Sequence, residues 1–265
     1  RKKMMTRDQE NFKIKNDLLL NMISYLESRG YFVTKKNDRP LVLENEVLKE
    51  LTNKKYFSSI IKKIANSDSM LDHQKLISLA FHIYETKEIK GHIAEVGVYK
   101  CGSAKIICEA ILLSKSLKTG YKMLAFDTFN GFDADELNNH ELQYFSETFK
   151  DTNFSDALVE MSKFQFCEVI QGSFPSESGG HAENKTFKLV HLDIDSFIGT
   201  KKCLKFFYKR MAINGVILID DLSSLKASGV REALGSFIKY ERQKKTPRYR
   251  CSITHADQAS LTRIY

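Results

Sequence analysis

Proline is scarce in this chain, with 3 in 265 residues, and glycine is modest at 13, which excludes a linker-rich or fibrous architecture. Long apolar runs are missing too. Leu18-Leu19-Leu20 and Val216-Ile217-Leu218-Ile219 fall far short of the roughly 20 apolar residues that a membrane-crossing helix needs, so no membrane span is expected. The first residues, Arg1-Lys2-Lys3-Met4-Met5, lead into a polar stretch, so no secretory signal is expected either. The five cysteines (101, 108, 167, 203 and 251) are odd in number and form no Cys-x-x-Cys pair. That pattern suits reduced thiols in a cytoplasmic protein rather than a disulfide frame or a zinc site. What the chain does have, 42% hydrophobic residues, suffices to bury a sizeable core and excludes disorder.

The net charge of +8 is unevenly spread: residues 1–65 carry 15 Lys and Arg against 8 Asp and Glu, whereas residues 66–265 carry 26 against 25. A nucleic acid or an acidic membrane would have to engage the first quarter of the chain. No aromatic ladder or arginine-rich stripe accompanies those lysines, so a solvated helical face accounts for them and no nucleic-acid partner is expected.

Periodicity divides the chain in two. Phe12, Leu19, Met22, Ile23 and Leu26 recur at helical spacing, with Gly30 as a stop. A second pattern holds Val47, Leu48, Leu51, Ile60, Ile61 and Ile64, and a third Leu76, Ile77, Ala80, Phe81 and Tyr84. Pro40 argues for a loop between the first two. From residue 92 onward, short β-branched or apolar runs at 93–98, 123–126, 166–170, 187–192 and 216–219 mostly alternate with helical stretches. The helix after the first run is predicted to close at Gly120, and one containing Cys203, Leu204, Phe207 and Met211 to end before a turn at Asn214-Gly215. Such alternation implies an α/β fold with a parallel sheet covered on both faces. The tail, with strands at 249–254 and 260–264 around a polar Asp257-Gln258 turn, reads as an antiparallel hairpin.

In a doubly wound sheet, ligands bind beyond the carboxyl ends of the strands. The first strand ends in Glu95-Val96-Gly97-Val98-Tyr99-Lys100-Cys101-Gly102-Ser103, which fits neither G-x-G-x-x-G nor a P-loop. An acid two residues before a glycine turn suits a nucleoside ligand that carries positive charge and no phosphate chain. The second strand ends in Asp127-Thr128-Phe129-Asn130-Gly131, placing an acid where it can accept hydrogen bonds from ribose hydroxyls or cap the next turn. Two further strands end in Asp193-Ile194-Asp195 and Asp220-Asp221. Four converging carboxylates repel one another unless a hard cation sits among them, and Mg²⁺ is the usual occupant. Arg231 and Lys201, close in sequence, can also balance their charge.

These segments, together with Gly215-Val216-Ile217-Leu218-Ile219-Asp220-Asp221 and Gly229-Val230-Arg231-Glu232-Ala233, resemble the macrocin O-methyltransferase (TylF/MycF-type) family, class I enzymes that use S-adenosylmethionine. The resemblance spans roughly residues 70–237. It implies a doubly wound, mostly parallel seven-stranded Rossmann-like sheet with a C-terminal antiparallel hairpin. Residues 70–265 would form the methyltransferase domain, and 1–69 a helical extension that covers the acceptor or mediates a homo-oligomer. It implies cofactor contacts from Glu95, Gly97, Tyr99, Gly102 and Ser103 at the methionine end. Asp127 and Thr128 would lie at the ribose, Gly172, Ser173 and Phe174 at the adenine, and Asp193 close by. Mg²⁺ ligands would be Asp193, Asp220 and Asp221.

Asp195 matches the family's proposed general base, with a role behind the metal ligands as the alternative, and His140 is a second candidate if residues 133–148 fold over the site. The expected activity is methyl transfer to a hydroxyl of a small molecule or glycan, a sugar hydroxyl before others. The rival readings are a methyltransferase-fold protein acting on nucleic acid or protein, and a cofactor-binding module without turnover. The family's Trp is here Tyr99, its glycine between the two aspartates is Ile194, and its Tyr-x-Ser-Thr is Phe197-Ile198-Gly199-Thr200, departures that bear on the acceptor.

Overall fold

The computed structural model describes residues 55–254 and 257–265, plus a short antiparallel pairing of Lys35–Lys36 with Arg39–Pro40 in the stretch read as a loop. The helical pattern of residues 12–26, and the part of the second pattern at 47–51, lie outside the described residues.

Seven strands form one sheet: β1 (His92–Val96), β2 (Met123–Asp127), β3 (Cys167–Gln171), β4 (Phe187–Leu192), β5 (Met211–Ile219), β6 (Tyr249–Ile253) and β7 (Ala259–Arg263). Their spatial order is 3-2-1-4-5-7-6, parallel except for β7, which runs antiparallel to both β5 and β6. The helices are α1 (Lys55–Ala65), α2 (His73–Glu85), α3 (Gly102–Ser114), α4 (Asn139–Phe145), α5 (Phe154–Met161), α6 (Phe197–Phe207) and α7 (Ser228–Arg242).

Because successive strand residues face opposite sides, each buried strand supplies two cores. Ile93, Met123, Ala125, Leu189 and Leu218 pack with α1, α2, α3 and α5 on one face. Ala94, Leu124, Phe126, Val190, Leu192 and Ile217 pack with α6 and α7 on the other. The α1 side chains Tyr56, Phe57, Ile60 and Ile64 follow helical spacing and are buried among α2 and α3 residues. A boundary at residue 69 therefore cuts between two helices that share a core.

Three local expectations are corrected. The helix after β1 stops at Ser114, where Lys115 adopts a left-handed conformation (φ 53°), and Gly120 lies beyond it. Met211 starts β5 rather than ending α6, which stops at Phe207. Asn214 and Gly215 are not a turn before a strand; they lie within β5, where Asn214 takes φ 63° and the register against β4 jumps from Phe187↔Met211 to Leu189↔Val216.

Candidate active site

The backbone ladder continues one residue past the strand ends. Gly172 N donates to Asp127 O (2.9 Å), Gly97 N to Phe126 O (2.9 Å), Asp193 N to Val96 O (3.0 Å) and Asp220 N to Leu192 O (3.0 Å). Residues from five adjacent strands thus align along the carboxyl edge. Gly97 is required there on steric grounds: its φ is +89°, and a Cβ would lie 1.9 Å from the Asp193 carbonyl oxygen. Tyr99, Cys101, Phe129, Phe149, Asp195 and Asp221 also hold positive φ along this edge. Left-handed backbone at non-glycine residues costs about 1–3 kcal/mol each, and such strain gathers at functional sites.

The edge opens into a cavity of about 340 Å³, at the point between β1 and β4 where the strand order reverses. Of the expected cofactor residues, Gly97, Tyr99, Asp127, Thr128, Gly172, Ser173, Phe174 and Asp193 line it. Asp127 is positioned by two backbone donors, Tyr99 N to Oδ2 (2.8 Å) and Phe129 N to Oδ1 (2.7 Å). Burial pushes its carboxyl up despite these bonds. Thr128 is turned to its own loop, with Oγ1 donating to Gly131 O (2.5 Å). Ser173 Oγ donates to Glu136 Oε1 (3.1 Å), which Lys202 also holds (2.8 Å).

Phe132 and Phe149, which the sequence did not single out, join Tyr99 and Phe174 as the aromatic part of the wall. Tyr99 and Phe149 meet edge to face at 5.1 Å, and Asp151 ties the segment down through Tyr99 OH (2.6 Å) and Lys100 Nζ (2.5 Å).

Glu95, Gly102 and Ser103 do not line the cavity. Glu95 is wholly buried opposite its register partner His191, with Oε1 2.9 Å from Nδ1. Gly102 is needed because Ser69 crosses it, with Ser69 Cα 2.5 Å from where a Cβ would stand, and Ser103 is buried in the same helical turn. His140 is exposed on α4 against Tyr144 (5.1 Å between rings) and does not reach the cavity. Its neighbour Glu141 is turned inward, as is Phe145, and accepts from Asn138 N (2.9 Å) and Phe197 N (2.8 Å).

At the other end of the cavity the carboxylates gather, in a different subset from the expected one. One oxygen each of Asp193, Asp195 and Asp221 lie within 4.8 Å of one another. Burial, then Asp220, pushes the Asp193 carboxyl well up, and burial with the Asp193 charge does the same to Asp195. Asp220 is instead drawn beneath the cavity, 3.3 Å from His191 Nε2 and bonded by Gln258 Nε2. Burial opposes its charge, but His191 and Lys75 outweigh that and hold it below the usual carboxylate range.

The balancing cation is neither Arg231, which donates to Leu222 O (3.4 Å), nor Lys201, which lies over the Phe197 ring (5.5 Å). It is Lys75 of α2, 2.5 Å from Asp221 Oδ1 and 3.5 Å from Asp220 Oδ2. Nothing in the helical periodicity marked Lys75; only the demand for a cation among four carboxylates pointed to such a residue.

An all-oxygen set of three carboxylates suits a hard divalent cation. The opposite end offers Asp127 for hydroxyls, aromatic faces for a soft cation and no lysine or arginine among the described lining residues other than Lys75. That end of the cavity therefore suits a cationic nucleoside.

The strand order with its reversed hairpin defines a class I methyltransferase fold. The profile of the macrocin-O-methyltransferase (TylF) family matches residues 64–253, and the chain belongs to that family, a family of O-methyltransferases. Among solved structures, the O-methyltransferase NovP superposes with a TM-score of 0.64 at 11% identity, over 97% of this chain and 100% of its own. The calicheamicin methyltransferase CalS11 superposes with a TM-score of 0.59 at 17% identity, over 82% of this chain and 93% of its own. An apo structure of CalS11, described as a TDP-rhamnose 3'-O-methyltransferase, gives a TM-score of 0.51 at 13% identity, over 98% of this chain and 96% of its own. At these identities the likeness establishes the fold. No curated protein matches the sequence. Among the described residues, no helix is long and apolar enough to cross a membrane.

Proposed function

We propose that this enzyme transfers a methyl group from S-adenosylmethionine to a hydroxyl of a sugar-bearing small molecule or glycan, with a magnesium ion at the acceptor end of the cavity. One observation carries the reading: a single cavity has Asp127 and aromatic walls at one end and the Asp193, Asp195 and Asp221 cluster at the other. The hydroxyl acceptor is supported by the family's name, and the sugar by the description of CalS11 as a TDP-rhamnose 3'-O-methyltransferase. Five free cysteines suit the reducing cytoplasm in which we place the protein.

Asp127 would accept the ribose hydroxyls, and Phe132, Phe149 and Tyr99 would face the sulfonium and adenosine. Asp193 and Asp221 would hold the cation, which when bound supplies Lewis acidity that favours the ionised form of an acceptor hydroxyl. Asp195, on the same loop as Asp193, takes the hydroxyl proton. The oxygen then attacks the methyl carbon in line, the C–S bond breaks as the C–O bond forms, and the sulfonium leaves as a neutral thioether. Holding the two partners in near-attack geometry is worth up to ~7–11 kcal/mol.

The test is mass spectrometry of nucleotide-sugar and glycoside panels incubated with trideuteromethyl-labelled cofactor, with magnesium or with EDTA. A sugar product carrying one labelled methyl, lost with EDTA, is expected. Metal-independent labelling of nucleic acid or protein would overturn the reading, as would cofactor binding with no labelled product.

A further inference from the structure

We infer that Lys75 is a built-in counter-ion of the carboxylate cluster, and that its ammonium sets how tightly the cluster takes a divalent cation. The inference rests on the metal site proposed above and deepens it. Lys75 belongs to the first turn of α2, where the N-cap Asp72 accepts from its backbone N–H (3.0 Å) and fixes the start of the helix. Met70, Leu71 and Asp72 line the same cavity, so this segment forms its wall on the side of α2. From there the side chain, only 11% exposed, places Nζ 2.5 Å from Asp221 Oδ1 and 3.5 Å from Asp220 Oδ2.

Four aspartates crowd this point, and two basic residues face them. His191 is clasped between Glu95 (2.9 Å) and Asp220 (3.3 Å) beneath the cavity and is wholly buried. Lys75 is thus the one cation, among the described residues, that both lines the cavity and touches the cluster. Two consequences follow for an incoming dication. The ammonium occupies an oxygen of Asp221, so that carboxylate must be shared or released, and the fixed positive charge opposes the ion across a partly buried gap where screening is weak. A lysine suits this role because its ammonium is a compact charge on a flexible stem that can yield. The cluster stays folded without an ion, and the ion exchanges instead of being trapped.

The readout is ion affinity, separate from turnover. Mn²⁺ alone is titrated into the full chain without cofactor or acceptor, and free ion is followed by electron paramagnetic resonance. Lys75→Met keeps the stem and removes the charge, and should bind Mn²⁺ at least ~10-fold more tightly than the wild type. Lys75→Arg keeps the charge and should stay close to the wild type. Thermal melting confirms that each variant folds, and Lys75→Gln carries the same expectation as Lys75→Met if the latter does not.

Equal or weaker binding by the neutral variants, with wild type binding normally, would overturn the counter-ion role and leave the metal site standing. If no form of the protein binds Mn²⁺, the metal reading fails and this inference with it. Binding by Lys75→Met where the wild type shows none would support the inference in its strongest form.

Discussion

Asp127 shows how one carboxylate can be fixed and still free to bind. Its two oxygens each accept one backbone N–H, which orients the group, and a carboxylate so held still has lone pairs to accept further bonds. Asp127→Ala should weaken binding of S-adenosylhomocysteine by about 10- to 100-fold in calorimetry, the loss of charge-assisted bonds worth about 1.5–3 kcal/mol. Asp193→Ala, at the other end, should abolish turnover while leaving that affinity nearly unchanged; a parallel fall in both would merge two sites that we hold apart.

At the foot of β4, Lys188 is a different kind of buried charge, wholly enclosed and donating to the Ser116 carbonyl. Burial pushes its ammonium down to about 8 from 10.5. Between those two values the unfolded chain binds the proton and the folded chain does not, so this residue makes stability rise with pH across that window. Lys188→Met should therefore melt higher than wild type at neutral pH, with the gap closing as pH climbs above 8. A gap independent of pH would contradict this, because it requires Lys188 to hold its proton equally in the folded and unfolded chains.

The acids at the strand ends were legible because a run such as Leu192-Asp193-Ile194-Asp195 breaks an apolar strand abruptly. Their division of labour was not legible. Asp220 and Asp221 are adjacent in sequence, yet the left-handed backbone of Asp221 (φ 62°) separates them, one to His191 and one to the cluster.

Among the elements, α4 depends most on a single side chain. Its seven residues are too few to hold a helix alone, so the capping box of Asn138 and Glu141 carries it. The same Glu141, fully buried, also satisfies Phe197 N at the start of α6, directly after the Asp195-Ser196 pair. Glu141→Ala should cost about 2–4 kcal/mol in urea denaturation, because two partly buried N–H groups lose their carboxylate acceptor. Turnover should fall with it, since α6 begins two residues after Asp195. Loss of less than about 0.5 kcal/mol would place Glu141 among ordinary surface residues.

Sequence pattern missed α4 and α5, which are only seven and eight residues long, and found α2, α3 and α6, whose buried stripes run for 11 residues or more; the segment that opens α7 entered only through the family resemblance. It also misplaced the start of β5, because Asn214-Gly215 carries turn chemistry that the sheet absorbs as a register jump.

At the scale of the whole molecule, the fold was the most legible part. Strand–helix alternation followed by a terminal hairpin admits few arrangements, and the right-handed crossover rule reduces them further. The cavity was less so, because its walls come from segments far apart in sequence: Lys75 precedes β1, and Phe149 lies between β2 and β3. The arrangement makes one demand of the intact enzyme, that nucleoside and ion occupy opposite ends of the same cavity. The direct measurement is a crystal grown with S-adenosylhomocysteine and Mn²⁺, with anomalous scattering used to locate the ion. The ribose should lie on Asp127, and the anomalous peak should fall among Asp193, Asp195 and Asp221. A peak on the His191 side of Asp220, or a nucleoside away from Asp127, would contradict that arrangement.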